Sequence, residues 1–317
     1  MTGLPVRLAA QLEAWPSTRR FLLDELWSEQ AVGIVGGEPK CCKSFLALEL
    51  AVAVASGRPA LRRFAVAEPG PVLLYAAEDA LHVVRERLVG ICAAASVELD
   101  ALALHVITAA SLRLDHEPDR DALRETVARL RPRLLVLDPF VRLHRVNENA
   151  ADEVAPLLAY LRELQRTHGC AVLLVHHARK GGHARAGQAL RGSSELHAWG
   201  DSNLYLRRNG ERLMMTIEHR AAASAGPLEL CLRAGPGAAL ALVDASVDAV
   251  ADVSLPRAPQ QPSERVLEVL DAADAALTRR EIRDACRMRS TSVGDALVSL
   301  VADGLVIETE RGYLLAR

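Results

Sequence analysis

Short apolar runs that alternate with longer helical stretches constrain this chain more than any other feature. Ala31–Val35, Pro71–Ala76, Leu104–Thr108, Arg133–Asp138 and Ala171–Val175 read as buried strands. Between them Ser44–Ser56, Ala80–Ala95, Asp119–Leu130 and Glu153–His168 read as helices. Such alternation predicts an α/β fold with a mostly parallel sheet and right-handed crossovers. Its site is then expected in the crevice at the carboxyl ends of the strands.

Composition agrees with a layered fold. The chain has 317 residues, more than one average domain needs, and is 50% apolar with only 3% aromatic. Its core is therefore expected to be built from Ala, Leu and Val. The net charge of -2 gives no global basic field, so contact with nucleic acid must come from local patches. Six cysteines show no C-x-x-C spacing, which argues against a disulfide framework. The N-terminus lacks a charged, then apolar, then small-residue leader, and no stretch of about 18 uncharged apolar residues is long enough to span a membrane. A cytoplasmic location and no membrane partner are the expectations.

The first strand runs into Gly37-Glu38-Pro39-Lys40-Cys41-Cys42-Lys43-Ser44. This is G-x-x-x-x-G-K-[ST] with Cys42 in place of the second glycine, a phosphate-binding loop with one departure. Gly37, Lys40, Cys41, Cys42, Lys43 and Ser44 are thus the candidate nucleotide-binding residues, with ATP and Mg²⁺ as the expected ligands. The unpaired N–H groups and dipole of the following helix favour an anion there. Lys43 is suited to the phosphates and Ser44 to Mg²⁺, while glycine's backbone freedom is missing at position 42. The other strands end on polar groups, Glu78 after the second, Asp138 after the fourth and His177 after the fifth. A carboxylate leaving a rigid strand at this edge suits a Mg²⁺ ligand, which makes Asp138 and Ser44 the candidate metal residues.

Four segments complete the expected organisation. Residues 1–30 read as a short leading helical segment, with Leu22, Leu23, Leu26 and Trp27 at helical spacing. Residues 31–248 form the α/β domain, and its Asn209-Gly210 hairpin with later β segments predicts antiparallel additions to the sheet. Residues 249–262, rich in proline, read as a linker. Residues 263–317 read as three helices and a β-wing, a winged helix, with a capping box at Thr278–Glu281.

These motifs together resemble the RecA-like ATPases, and among them the hexameric plasmid helicases of the RepA type, over roughly residues 25–245. The resemblance makes Gly37–Ser44 the Walker A loop and Leu135-Val136-Leu137-Asp138 Walker B. It implies that Glu78 polarises the attacking water and that His177, in Val175–Gly181, senses the γ-phosphate. It implies too that Arg207 or Arg208 is presented to a neighbouring subunit as an arginine finger, which requires a homo-oligomer, a hexamer by analogy. Two loops would line a channel for single-stranded DNA. Arg142 and Arg145 stand on one, and Arg179, Lys180 and Arg185 on the other. The last domain carries eight arginines against ten carboxylates, yet Arg279, Arg280 and Arg283 cluster on its second helix. It is expected to meet duplex DNA or a protein. The function expected is an ATP-hydrolysing DNA motor, with a nucleotide-switched DNA-binding regulator as the alternative.

Overall fold

The computed structural model describes residues 6–11, 21–177, 194–210, 212–233, 238–243, 266–267, 269–270, 276–286, 290–302, 305–309 and 311–315. Two compact units emerge, Met1–Asp244 and Ala245–Arg317. Among the described residues no helix is long and apolar enough to cross a membrane.

The first unit opens on a hairpin, β1 (Phe21–Leu23) with β2 (Trp27–Ser28), where a helix was expected. Leu22, Leu23, Leu26 and Trp27 are all buried. The Asp24 N–H donates to the Ala65 carbonyl, and Leu23 bridges to Val66. Cross-chain pairing satisfies this backbone and overrides the helical spacing of the four residues.

The core of the unit is a sheet of nine described strands. In sequence they are β3 (Val32–Gly37), β4 (Val72–Ala76), β5 (Leu104–Val106), β6 (Leu134–Asp138), β7 (Ala171–His177), β8 (Ser202–Asn209), β9 (Arg212–His219), β10 (Ala225–Arg233) and β11 (Ala239–Leu242). Across the sheet the order is β11-β10-β9-β8-β3-β7-β6-β4-β5. Strands β8, β3, β7, β6, β4 and β5 run parallel, and β9 to β11 are added antiparallel. Gly210, in the left-handed region at φ 63°, closes the β8–β9 hairpin.

Helices cover both faces. α1 (Lys43–Ser56) and α2 (Leu81–Ala95) pack on one, α3 (Glu117–Leu130) and α4 (Ala151–His168) on the other. α1 is apolar nearly all round, as a helix enclosed by sheet and neighbours should be. Burying Leu46, Leu50 and Val54 contributes about 1.5–3 kcal/mol each. Gly57, left-handed at φ 76°, caps α1 and returns its N–H to the Ala53 carbonyl at 2.8 Å.

In the second unit residues 266–267 and 269–270 are helical, followed by helices Arg279–Cys286 and Ser290–Ala302 and by a hairpin of Val306–Thr309 with Gly312–Leu315. The capping box forms: Glu281 Oε2 accepts from the Thr278 N–H at 2.8 Å, and the Glu281 N–H donates to Thr278 Oγ1 at 3.3 Å. Val266, Leu270, Ile282, Val293, Leu297, Leu300 and Val306 form its own core. The expected linker, 249–262, lies outside the described residues.

Candidate active site

Strand pleating decides which residues meet at the carboxyl edge. Val35, Ala76, Val136, Val175 and Leu206 face the α1 side of the sheet, while Ile34, Tyr75, Leu137, Leu174 and Tyr205 face the α4 side. Continuing the two-residue period places Asp138, His177 and Arg208 on the α1 side. Register brings them level, since Gly37 stands beside His177 on one flank and Leu206 on the other, and Ala76 stands beside Asp138. The cavity that results, about 290 Å³, is lined by Lys43, Ser44, Glu78, Asp138 and His177 together with the 40–42 turn.

The loop is built around two backbone demands. A side chain at Gly37 would put Cβ 2.3 Å from the Leu206 carbonyl oxygen, so only glycine fits. Cys42 adopts the left-handed conformation, φ 59° and ψ 26°, at the N-cap of α1, with no hydrogen bond from its side chain to the helix. This is the geometry for which the pattern supplies glycine.

Lys43 is only 5% exposed, and burial lowers its pKa. Its Nζ donates to the Glu38 carbonyl at 2.8 Å, across the mouth of the loop. Asp138 is 7% exposed, and its pKa is pushed up to about 6. Burial is the main cause, the charges of Asp79 and Glu78 add to it, and a hydrogen bond from Ser44 with the Lys43 charge opposes it. A hydroxyl and a carboxylate in contact at the helix N-terminus match the oxygen donors that Mg²⁺ prefers. Burial also raises the Cys41 thiol pKa.

Glu78 accepts a hydrogen bond from Arg142 Nε at 2.8 Å. Arg208 Nε donates to the Lys40 carbonyl at 3.3 Å, on the same chain's loop, while Arg207 projects from the opposite face; both are exposed. Arg145 is exposed on the β6–α4 loop, and its backbone N–H donates to Asp115. His176 is buried on the α4 side, its ring against Phe140. Arg179, Lys180 and Arg185 lie outside the described residues. Arg279, Arg280 and Arg283 begin the capped helix of the second unit, with Arg279 exposed and Arg283 half-buried.

Three residues that sequence reasoning passed over also line the cavity: Phe45, Asp79 and Arg87. Arg87 pairs with Asp79, and its guanidinium sits 5.1 Å from the Phe45 ring centroid. Their signal was an acidic strand end followed by a helix whose second turn carries an arginine back over it.

Residues 4–183 match the AAA domain family, and the chain belongs to it. It is an ATPase. Among solved structures it is similar to the ATPase domain of a helicase, at 14% identity over 69% of this chain and 87% of that one, with a TM-score of 0.54. The RadB recombinase is similar at 16% identity over 68% of this chain and 92% of that one, with a TM-score of 0.51. The fold they share with this chain is the RecA-like sheet.

Proposed function

We propose that the chain is a ring-forming, DNA-stimulated ATPase of the RepA helicase type, acting on single-stranded DNA in the replication or recombination of a plasmid or other mobile element. One observation carries this reading: Lys43, Ser44, Glu78, Asp138 and His177 line a single cavity, and Arg142 leaves the neighbouring loop to touch Glu78. The likeness to a recombinase and to a helicase ATPase domain supports action on DNA.

In this reading the backbone N–H groups of the loop and Lys43 hold the β- and γ-phosphates. Ser44 and Asp138 hold Mg²⁺, which neutralises charge on the phosphates when bound. Glu78 orients the attacking water and takes its proton, and His177 meets the γ-phosphate. Arg207 or Arg208 completes the site of a neighbour in a hexamer. The ATPase domain spans 31–248. The unit from 263 onward is a winged helix whose Arg279, Arg280 and Arg283 meet duplex DNA or a protein partner. The left-handed Cys42 favours a second reading, a nucleotide-switched DNA-binding regulator with slow hydrolysis.

Hydrolysis measured with and without single-stranded DNA, alongside mass in solution, separates the two. If an arginine acts in trans, an inactive Arg207→Ala/Arg208→Ala variant mixed with Lys43→Ala regains partial hydrolysis, since each supplies what the other lacks. A chain that stays monomeric with ATP and DNA, or variants that never complement, would defeat the ring and favour the regulator.

A further inference from the structure

The contact between Arg142 and Glu78 joins a group assigned to DNA with a group assigned to water. We infer that Arg142 is a positioning residue for Glu78: it holds the carboxylate aside until a nucleic-acid phosphate takes the guanidinium. This rests on the function proposed above and adds the route by which DNA reaches the chemistry.

The backbone keeps the two side chains within reach. The Ala77 N–H donates to the Asp138 carbonyl at 2.7 Å, tying the ends of β4 and β6 together one residue before Glu78. After Asp138 the chain makes a single turn, Phe140–Arg142, fixed by buried Phe140 and Leu143 and by the Leu143 N–H to Phe140 carbonyl bond at 2.9 Å. The Leu143 carbonyl accepts from the Leu114 N–H at 2.6 Å, which pins the far side of the turn. Arg142 is thus a solvated side chain on a rigid base, aimed at the glutamate. Its Nη groups have no protein partner among the described residues, so they remain available to a phosphate.

Magnitudes fit a displaceable contact. The side chains are 62% and 43% exposed, and ion pairs that exposed favour their closed form by only about one- to fivefold. An arginine fork binds phosphate with two parallel charge-assisted hydrogen bonds, a stronger partner than one screened carboxylate oxygen. Once the fork turns to phosphate, Nε leaves Glu78, and the carboxylate is free to face the cavity. Coupling of this kind is reciprocal, so releasing Arg142 from Glu78 must tighten DNA binding by the same factor.

The experiment is a double-mutant cycle on the full chain, read by turnover and by single-stranded DNA affinity. Arg142→Gln should raise DNA-free turnover about two- to sixfold and shrink the stimulation by DNA. Glu78→Ala should tighten binding of a single-stranded oligonucleotide by a similar factor, and that gain should vanish when Arg142→Gln is already present. A DNA-stimulated wild type whose DNA-free rate is unchanged or lowered by Arg142→Gln would overturn the inference and leave Arg142 a DNA contact only. So would an affinity gain from Glu78→Ala that persists without Arg142, because it would report net charge alone. A wild type that neither hydrolyses ATP nor binds DNA would instead remove the proposed function, and this inference with it.

Discussion

Replacing Cys42 tests the loop most directly, because its backbone angles give the size of the effect. At φ 59° and ψ 26° a residue with a Cβ is held at a cost of about 1–2 kcal/mol. Glycine removes that cost but loses about 0.5–1 kcal/mol through its freer unfolded chain. Cys42→Gly should therefore change folding free energy by about 0 to 1.5 kcal/mol in the stabilising direction. For a domain of this size that is a rise in melting temperature of no more than about 5 °C. Turnover should be retained or raised, since no side-chain hydrogen bond from Cys42 to the helix is lost. Cys42→Val runs the series the other way, because a β-branched side chain at positive φ is strained well beyond cysteine. It should melt lower and bind ATP more weakly. The assays are thermal melts, binding of a fluorescent nucleotide analogue and phosphate release. A folded Cys42→Gly variant that loses turnover would show that the thiol has its own role. A valine variant indistinguishable from wild type would show that the loop does not hold this geometry.

Glu78→Gln should retain ATP binding with hydrolysis reduced on the order of a hundredfold or more, the scale for losing a positioned base; normal single-turnover rates would remove Glu78 from the chemistry. Asp138→Asn should abolish the dependence on Mg²⁺ concentration and, without nucleotide or metal, raise the melting temperature at pH 7–8. The sign follows from the raised pKa: Asp138 is favourably protonated in the fold at low pH, and that contribution is lost as pH rises through about 6. The advantage of the asparagine variant should accordingly shrink as pH falls from 7 towards 4, and a pH-independent difference would refute the burial assignment.

The parallel part of the sheet was legible because each strand is a short apolar run ending on a polar residue, with a helix before the next. The hairpin after Ser202 was legible from Asn209-Gly210. What misled was Leu22–Trp27, where four large side chains at helical spacing are buried by pairing with residues 65–67, contacts that no local pattern records. At the site, Lys43, Ser44 and Asp138 announced themselves by motif. Arg87 and Phe45 did not, since their nearness depends on how α2 folds back over α1. The contact between Arg142 and Glu78 spans 64 residues and depends on a single backbone bond between two strand ends.

Doublets in the sequence acquire distinct roles through the pleat. His176-His177, Arg207-Arg208 and Cys41-Cys42 each offer two adjacent candidates, and sequence alone gives no reason to prefer one. Since successive side chains on a strand point to opposite faces, only one of each strand doublet can face α1. His177 lines the cavity while His176 is 1% exposed beneath Phe140, so exchanging their roles would require a one-residue slip of β7 against β3. Such a slip would turn Val172 and Leu174 out of the α4-side core, and the sheet resists it strongly. The same parity bears on the arginines. Arg208 faces the α1 side and is bonded to Lys40 of its own loop, so its guanidinium is engaged in cis. Arg207, exposed on the other face, is the member of the pair left to reach a neighbouring subunit. Should the arginines act in trans, Arg207→Ala alone would then reproduce the complementation expected of the double variant, whereas Arg208→Ala would disturb the chain's own loop and could not be rescued by a partner.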